Sequence, residues 1–472
     1  MNNLFDMPKT TAVILAAGKG TRMKSTLPKV LHKAGGRTML AQVLHQVRAA
    51  GIEDCCVVVG HGAEEVRASL PASENLHFAL QMPQLGTGHC AQQALPHIPK
   101  DSEAVLLVCG DTPLLTAATL SALQEKFIST GTDGLILTAE MTNPTGYGRI
   151  VRGEDGGVCG IVEEKDATAE QKRITEINTG AYIFRHQVLA DALGKLDNNN
   201  AQGEYYLTDV IKIIAAAGGK IDTLTTADPM ETTGVNDRAQ LAQAAAELYR
   251  RKAHELMVAG VTIIDPTNCY IDQQVEVGPD TVIYPNCQLR GETKIGSGCV
   301  IDSDCIITDS QVGDNCTLIK AVLTEAKVGS GANIGPFAYL RPGSNLGDKV
   351  KVGDFAEIKN ANIGDGSKIP HLSYIGDADV GSGVNIGCGT ITCNYDGVHK
   401  FRTVIGDNVF IGSNTNLVAP VTVGDDAFVG AGSTITRDVA AGALAVERSR
   451  QQQFDGWATE KSPKALAAKS KK

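Results

Sequence analysis

The strongest constraint on the fold is a six-residue repeat of aliphatic residues in the C-terminal half of the chain. In its first block the repeat falls at Val277, Ile283, Leu289, Ile295, Ile301 and Ile307. The same phase returns in two later blocks, at Val328, Ile334, Leu340, Leu346, Val352 and Ile358, and at Ile405, Ile411, Leu417, Val423, Val429 and Ile435. Gly, Asp, Ser and Asn are frequent between these positions.

A period of six fits neither a helix of 3.6 residues per turn nor a strand of period two. It fits a β-solenoid, in which each short strand buries one aliphatic residue and each corner takes small or turn-forming residues. Three repeats complete one triangular coil, so residues eighteen apart stack at the strand spacing of roughly 4.7–4.9 Å. The sequence therefore predicts a β-solenoid of hexapeptide repeats.

Composition excludes several classes of protein. The formal net charge of −10 gives the chain no nucleic-acid footprint, and no apolar run is long enough to span a bilayer. The twelve cysteines include no C-x-x-C pair and no metal-binding spacing, and the polar residues 1–9 do not form a secretory segment. We therefore expect a reduced, cytoplasmic protein without a nucleic-acid partner and without membrane insertion.

The N-terminal half alternates short apolar runs with helical stretches. Strands are predicted at 11–15, 55–59, 104–108 and 135–138, with helices between them such as 39–50 and 117–127. This alternation predicts a Rossmann-like α/β domain whose mostly parallel sheet binds ligand at the carboxyl ends of its strands.

Two polar motifs follow predicted strands. The first strand leads into the glycine-rich turn AAGKGTRM at 16–23, which offers backbone N–H groups to a phosphate. Its spacing matches neither a Walker A loop nor a dinucleotide fingerprint, but Arg22 and Lys29 add cations nearby. The third strand leads into CGDTP at 109–113, which places Asp111 at a strand tip. Magnesium usually takes only one or two protein oxygens, so Asp111 is a candidate ligand.

Several motifs of this half resemble the sugar-1-phosphate nucleotidylyltransferases: LAAGKGTRM with LPK at 15–29, QLGTGH at 84–89, GYGRI at 146–150, EINTG at 176–180 and NAQGEYY at 200–206. With the solenoid behind them, the chain resembles, to about Arg448, the bifunctional family that joins N-acetylglucosamine-1-phosphate uridylyltransferase to glucosamine-1-phosphate N-acetyltransferase. We therefore expect an α/β nucleotidyltransferase domain at 1–236 and a linker helix at 237–258. A left-handed parallel β-helix would follow at 259–472, with a basic, disordered tail from about 451.

For the first half, the resemblance implies a site for UTP and UDP-N-acetylglucosamine. The matching residues are Leu15, Ala16, Ala17, Gly18, Arg22, Lys29, Gln81, Gly86, Thr87, Gly110, Asp111, Gly148, Glu163, Asn178 and Asn236. Asp111 and Asn236 would bind Mg²⁺, although Asn236 could instead cap the helix that follows it. The sugar phosphate would attack the α-phosphorus of UTP, so catalysis needs positioning and charge neutralisation rather than a protein nucleophile. The chain departs from the family at Cys109, where a tyrosine is usual.

Two spacings indicate that the solenoid is more than a scaffold. Arg341 and Lys359 are eighteen residues apart, so their cations should stack on one side of the prism with an anion or a carboxylate partner between them. Ser413 and Ala431 are also one coil apart and could let an extended ligand lie close. His371 lies between these pairs, where the repeat slips in phase, and the segment 392–402 interrupts the repeat as a loop.

The resemblance implies roles for these residues. His371 would be the general base that deprotonates the 2-amino group of glucosamine-1-phosphate, a step suited to an imidazole with an ordinary pKa of ~6.5. Glucosamine-1-phosphate would be held by Arg341, Lys359, Tyr374 and Asn385. Acetyl-CoA would contact Cys388, Asn394, Tyr395, Ser413, Ala431 and Arg448, with Cys388 in place of the family's usual alanine.

The resemblance also implies a homotrimer whose acetyltransfer sites are built from neighbouring chains. Its small-molecule substrates would be glucosamine-1-phosphate, acetyl-CoA, UTP and N-acetylglucosamine-1-phosphate, and its product UDP-N-acetylglucosamine for cell-wall and envelope polymers. Two alternatives are a single-activity nucleotidylyltransferase with a structural or regulatory β-helix, and a non-catalytic scaffold. His371, Arg341 and Lys359 count against the first alternative. Lys29, Asp111 and Asn236 count against the second.

Overall fold

The structure, a computed structural model, describes residues 8–469. Part of the polar N-terminal segment and the end of the basic tail therefore lie outside the described residues. The chain divides into two compact units between Lys252 and Ala253. This boundary falls inside a 21-residue helix, Arg238–Val258, close to the helix that the sequence predicts at 237–258.

The first unit is built on a nine-stranded, mostly parallel sheet. Its main path runs, in spatial order, through Ile221–Thr225, Gly134–Glu140, Glu176–Arg185, Ala104–Cys109, Thr10–Ala16, Cys55–Val59 and Leu76–Leu80. Glu176–Arg185 is antiparallel to its neighbours, and Arg149–Arg152 and Val158–Val162 extend the sheet from it. A separate hairpin pairs Lys33–Ala34 with Arg37–Thr38. The four strands predicted from the sequence are confirmed.

Helices pack on both faces of this sheet because successive residues of a strand point to opposite sides. They are Met39–Ala49, Ala63–Ala68, Thr87–Ala94, Ala117–Thr130, His186–Leu193 and Asp209–Ala216. Ile14 shares a core with Leu40 and Leu123, whereas its neighbour Val13 belongs to a second core that contains Ala91. Thr10–Ala16 pairs in parallel with Ala104–Cys109, so the loops that follow these two strands meet at one edge of the sheet.

The second unit is a parallel β-helix of three sheets. The first face contains Thr262–Ile263, Val282–Ile283, Val300–Ile301, Thr317–Leu318, Asn333–Ile334, Lys351–Asp354, Lys368–His371, Asn385–Ile386, Phe410–Ile411, Phe428–Val429 and Leu444–Ala445. The second face contains Tyr270–Ile271, Gln288–Arg290, Ile306–Thr308, Val322–Thr324, Tyr339–Leu340, Glu357–Lys359, Tyr374–Gly376, Ile391–Cys393, Asn416–Val418 and Thr434–Ile435. The third face contains Glu276–Val277, Lys294–Ile295, Gln311–Val312, Lys327–Val328, Asn345–Leu346, Asn362–Ile363, Ala378–Val380, Thr403–Ile405 and Val421–Val423.

The periodic aliphatic residues fill the interior of this β-helix. All of those that define the repeat are buried except Val277, which packs against the same core while partly exposed. Outward positions of the same strands are mostly polar or aromatic. The six-residue period therefore predicts this unit correctly, because each strand buries one residue per repeat.

The described part of the C-terminal tail contains short helical segments. Two short helices, Trp457–Glu460 and Pro463–Lys469, lie in this segment, and nearly all of their side chains are exposed. The Ser462 hydroxyl accepts a hydrogen bond from the Ala465 backbone N–H at 3.2 Å, and Pro463 occupies the first helical position. These features favour a helix start even where little apolar surface is buried.

Candidate active sites

A cavity of about 440 Å³ lies in the first unit beside the glycine-rich turn at 16–23. Among its lining residues are these members of the expected nucleotide site: Leu15, Ala16, Ala17, Gly18, Lys29, Gln81, Gly86, Thr87 and Asp111. A second cavity of about 340 Å³ shares Asp111 and adds Arg22 and Asn236. The structure thus brings together side chains from loops that are distant in sequence.

The glycine-rich turn is shaped by its close approach to Lys29. Gly20 has a φ of +59°, and a Cβ at that position would lie 2.5 Å from the Cβ of Lys29. Gly18, in contrast, has open space where its side chain would be. A turn of this kind leaves the backbone near Gly18 accessible to a phosphate while it holds Lys29 beside the cavity.

Lys29 joins the two expected magnesium ligands. Its ammonium group pairs with Oδ2 of Asp111 and donates to Oδ1 of Asn236 at 3.2 Å. Arg22 donates to the same Asn236 oxygen at 2.9 Å. In residues 8–469 no group of three or more His, Cys, Asp or Glu side chains could hold a metal ion. A pair of oxygens that converges on one cation nevertheless suits Mg²⁺, which retains several water ligands.

Asn236 does not cap the helix that follows it. The cap is Asp237, whose Oδ1 accepts a hydrogen bond from the Gln240 backbone N–H at 2.9 Å. The backbone of this segment is fixed by a bond from the Val235 N–H to the Asp111 carbonyl oxygen at 2.9 Å. The Asn236 side-chain oxygen is therefore available to the cavity, and the helix-cap interpretation is wrong.

Gly148, Glu163 and Asn178 form a separate group in the first unit. The Asn178 N–H donates to the Gly148 carbonyl at 2.9 Å, and a Cβ on Gly148 would lie 3.6 Å from Oε2 of Glu163. Glu163 accepts a hydrogen bond from the Thr208 hydroxyl at 3.1 Å. Burial raises the pKa of the Glu163 carboxyl above its usual value, and the Thr208 bond opposes this shift. Gly110 lies elsewhere, with its N–H bonded to the Leu15 carbonyl at 2.9 Å.

In the second unit, two columns of side chains cross the outer surface of the second face. Parallel pairing places Tyr339, Glu357 and Tyr374 in one column, and Lys359 beside Gly376 in the next. Arg341 follows Leu340, the partner of Ile358, so its position matches that of Lys359 one coil later. The two cations therefore stack as the sequence predicts. Arg341 also has a carboxylate partner, Glu357, at 2.7 Å.

A further column, called here the corner column, runs along the edge between the first and second faces. It contains Asp354, His371, Cys388, Ser413 and Ala431, which occupy equivalent positions in successive coils. Backbone bonds link these coils: the Asn414 N–H donates to the Cys388 carbonyl at 2.7 Å, and the Gly432 N–H to the Ser413 carbonyl at 2.8 Å. The guanidinium group of Arg448 donates to the Ala431 carbonyl at 2.7 Å.

The imidazole of His371 has one side-chain partner among the described residues. Its Nδ1 lies 2.7 Å from Oδ1 of Asp354, and both side chains are open to solvent. The carboxylate can only accept, so Nδ1 carries the proton and Nε2 of a neutral ring carries the lone pair. The bond to His371 lowers the pKa of the Asp354 carboxyl below its usual value. This arrangement leaves a basic nitrogen directed away from Asp354.

The segment that interrupts the repeat is a hairpin loop, with Tyr395 bridged to Lys400. At its start, the Asn394 amide donates to the buried carboxylate of Asp377. At its end, Arg402 binds both carboxylate oxygens of Asp379, at 2.6 and 2.8 Å. The loop is thus tied to the β-helix at both ends, beside Tyr374.

Comparison with known proteins identifies the family. Residues 12–192 match the model of the MobA-like NTP transferase domain, and residues 402–437 match the bacterial transferase hexapeptide model of six repeats. Proteins named bifunctional protein GlmU from Heliobacterium modesticaldum and Carboxydothermus hydrogenoformans are both 54% identical, over 94% and 93% of this chain and 97% and 98% of their own lengths. The corresponding protein of Pelobacter propionicus is 50% identical over 96% of this chain and 98% of its own length. This chain belongs to the GlmU family.

Membership in the GlmU family settles the class of activity. The chain is a bifunctional enzyme of UDP-N-acetylglucosamine biosynthesis, with a nucleotidyltransferase unit followed by a left-handed parallel β-helix of hexapeptide repeats that is an acetyltransferase. The single-activity and scaffold alternatives are therefore excluded. Its substrates are small molecules. No helix within residues 8–469 is both long and apolar enough to cross a bilayer.

Two observations were not anticipated from the resemblance to the GlmU family. Asp354 contacts His371, and Glu357 contacts Arg341. Neither Asp354 nor Glu357 is among the site residues that the resemblance implies. A signal for Asp354 exists in the sequence, because the phase slip shortens this coil to seventeen residues and brings Asp354 opposite His371. Glu357 precedes Ile358, so the repeat places its side chain outward, but no pattern shows that it reaches Arg341 across one coil.

Cys109, at the position where the resemblance predicts a tyrosine, lines the 440 Å³ cavity. Its Sγ would lie 3.2 Å from a Cβ placed on Gly180, so a side chain at position 180 would crowd the thiol. Burial, followed by the charge of Asp111, raises the pKa of the Cys109 thiol to about 12. The thiol is therefore neutral near pH 7 and packs as a small apolar group.

Proposed function

We propose that the cavity at the glycine-rich turn performs uridylyl transfer and that the corner column with the adjacent second face performs acetyl transfer. The uridylyltransferase domain spans residues 1–236 and the acetyltransferase domain spans residues 259–472. The helix at 237–258 joins them. The observation that carries the first assignment is the convergence of Asp111 and Asn236 on one cation. The second rests on the orientation of His371 by Asp354 within a column of expected acetyl-CoA residues.

In uridylyl transfer, Asp111 and Asn236 would hold Mg²⁺, which would supply positive charge beside the phosphates of UTP. The main chain from Leu15 to Gly18 and the side chain of Lys29 bind those phosphates, with Arg22 next to them. Gln81, Gly86 and Thr87 read the uracil, and the Gln81 amide is held by a 2.9 Å bond to the Gly86 carbonyl. Gly110, Gly148, Glu163 and Asn178 hold the sugars and the diphosphate.

The chain acts here by positioning its substrates. The phosphate oxygen of N-acetylglucosamine-1-phosphate attacks the α-phosphorus of UTP, and pyrophosphate leaves. A phosphate oxygen that is already ionised at neutral pH needs no general base. Alignment and charge neutralisation supply the rate acceleration.

In acetyl transfer, His371 is the general base and Arg341, Lys359 and Tyr374 bind the phosphate and sugar of glucosamine-1-phosphate. The free Nε2 takes a proton from the 2-amino group as that nitrogen attacks the thioester carbonyl of acetyl-CoA. Acetyl-CoA lies along Cys388, Ser413, Ala431 and Arg448, and Asn394 and Tyr395 of the loop contact it from the side. Acetylation precedes uridylyl transfer because the acetylated sugar phosphate is the substrate of the second step.

The distribution of these residues supports a homotrimer. Asn385 lies on the outer surface of the first face, whereas Arg341, Lys359 and Tyr374 lie on the second face. One sugar phosphate cannot readily contact both surfaces of one prism, so a neighbouring chain must supply part of the site. The β-helix also has exposed aromatic residues, among them Phe337, Phe355, Phe410 and Phe428. Such residues are consistent with faces of the β-helix that neighbouring chains cover.

We also assign the protein to the cytoplasm. Its twelve cysteines are all unpaired, and most are buried. Cysteines that remain free in such number are typical of a reducing compartment. UTP and acetyl-CoA, the co-substrates of the two reactions, are intracellular metabolites.

Two assays test the division of activities. One follows thiol released from acetyl-CoA with glucosamine-1-phosphate, and the other follows pyrophosphate released from UTP with N-acetylglucosamine-1-phosphate. We expect His371→Ala to abolish the first signal alone and Asp111→Ala to abolish the second alone. His254→Ala and Asp101→Ala, at exposed positions, are the matched controls and should retain both activities. Loss of both signals in either active-site variant, with a normally folded protein, would contradict separate sites.

A further inference from the structure

The contact between Asp354 and His371 is not explained by its contribution to the stability of the fold. The two side chains are 42% and 57% exposed. An ion pair so open to solvent contributes roughly 0–1 kcal/mol to folding. The 2.7 Å bond from Nδ1 of His371 to Oδ1 of Asp354 nevertheless determines which nitrogen of the ring is basic.

The main chain holds these two residues in register. Asp354 and His371 are partners in the parallel pairing of Lys351–Asp354 with Lys368–His371. The Leu372 N–H donates to the Asp354 carbonyl at 2.9 Å. Gly353 allows this approach, because a Cβ there would lie 1.9 Å from the Pro370 carbonyl oxygen. The carboxylate and the imidazole are therefore brought together by the backbone of adjacent coils.

We propose that Asp354 is a positioning residue for acetyl transfer, an inference that rests on the proposed role of His371 as the base. By accepting the Nδ1 proton, Asp354 keeps the lone pair on Nε2. Nε2 then takes a proton from the amine while the amine nitrogen bonds to the acetyl carbon and the carbon–sulfur bond breaks. The thiolate of CoA leaves with the electron pair and receives that proton. Throughout, the negative charge of Asp354 stabilises the imidazolium.

The other groups around His371 do not duplicate this role. On the following coil the corner column continues with Cys388, and on its own strand the outward residue is Lys368. On the neighbouring second face lies Tyr374, whose hydroxyl accepts from the Asn394 amide at 3.4 Å. Among the described residues, Asp354 supplies the one carboxylate bonded to this ring. Its removal should therefore change both the tautomer and the basicity of His371.

The test compares Asp354→Asn with wild type across the pH range of acetyl transfer. Asn keeps the size of the side chain but removes the charge, so kcat should fall about 10- to 100-fold while both KM values stay within about twofold. Without the carboxylate, the imidazolium that forms as the amine gives up its proton is less stable. The acidic limb of the pH–kcat/KM profile should therefore move to lower pH by up to about one unit. Uridylyl transfer should not change.

A matched control separates this effect from a structural one. Asp365→Asn removes an exposed corner carboxylate of the same β-helix, which accepts the Asp348 N–H at 2.8 Å, and should leave the profile in place. An Asp354→Asn profile that superimposes on wild type, or that falls uniformly without a shift, would overturn the proposal. Retained acetyl transfer in His371→Ala would instead refute the proposed base, and the two failures are thus distinguishable.

Discussion

The ammonium nitrogen of Lys29 lies 3.2 Å from Oδ1 of Asn236 and also pairs with Asp111. Residues 29, 111 and 236 are widely separated in sequence, so the fold of the whole first unit assembles this cluster. The Lys29 and Asp111 side chains are only 13% and 21% exposed. The proposed Mg²⁺ would use the same oxygens, so Lys29 would have to release them and could turn its charge towards the nucleotide phosphates.

Substitution of Asn236 should weaken the magnesium site without affecting acetyl transfer. Asn236→Ala removes one of two protein oxygens, so the Mg²⁺ concentration for half-maximal uridylyl transfer should rise about tenfold or more. Chelation of Mg²⁺ should abolish uridylyl transfer and leave thiol release intact. Asp237→Ala is the control, because it removes the helix cap, at a cost of about 1 kcal/mol, but no proposed ligand. An unchanged Mg²⁺ requirement in Asn236→Ala would exclude it as a ligand.

The sequence predicts the β-helix well because one buried residue per repeat is a requirement of every coil. It predicts Arg341 above Lys359 for the same reason, since that coil has eighteen residues. Other coils are shorter, however, as the pairing of Ile301 with Leu318 shows. A missing residue can be absorbed at any corner, so the period alone does not reveal every partner. For this reason a strict period of eighteen does not predict that Asp354 lies opposite His371.

Residue types along the sequence do not determine every contact, and some contacts are known only from the folded structure. Asn236 and Asp237 are both good helix caps, and only the position of Asp111 and Lys29 distinguishes them. The resemblance implies that Asn385 holds the same sugar phosphate as Arg341, and the two residues lie on different faces of the β-helix. Side chains that meet through tertiary packing or through a neighbouring chain have no signature in a single sequence.

Removal of a core side chain should destabilise the β-helix strongly. Leu340 is fully buried and lies between Leu323 and Ile358 in adjacent coils. Leu340→Ala should lower the free energy of unfolding by about 2–5 kcal/mol, through lost burial and the cavity that remains. Lys327→Ala, at an outward position, should change it by less than about 0.5 kcal/mol. Denaturant titrations of the two variants provide the measurement, and equal midpoints would contradict the assigned core.

Asp377 should control the affinity for acetyl-CoA through the hairpin loop. Its buried carboxylate accepts from the Asn360 amide at 2.5 Å and from the Asn394 amide at the start of the loop. Asp377→Ala leaves both amides without this acceptor, at about 1–3 kcal/mol each, and frees the loop. We expect the KM for acetyl-CoA to rise about tenfold, with a smaller change in kcat. Asp407→Ala, an exposed corner change, serves as the control, and an equal KM in both variants would rule out this role.

Glu163 should make the stability of the first unit depend on pH. Burial raises the folded-state pKa of its carboxyl above the unfolded value of ~4.3, so the folded chain binds this proton more tightly. The resulting stabilisation is complete below the unfolded pKa and is lost as pH rises through the folded pKa. The free energy of unfolding of wild type, relative to that of Glu163→Gln, should therefore decrease as pH rises from the unfolded to the folded pKa of Glu163. Above the folded pKa it should level off.

Unfolding free energies of wild type and Glu163→Gln, measured from about pH 4 to pH 8, test this sign because the interval begins near the ordinary glutamate pKa. Glu170→Gln, at an exposed position nearby in sequence, controls for the loss of a surface charge and should follow wild type at every pH. A wild-type advantage that instead grows with pH would mean that the folded chain favours the ionised carboxylate. The Thr208 hydrogen bond would then outweigh burial at this site.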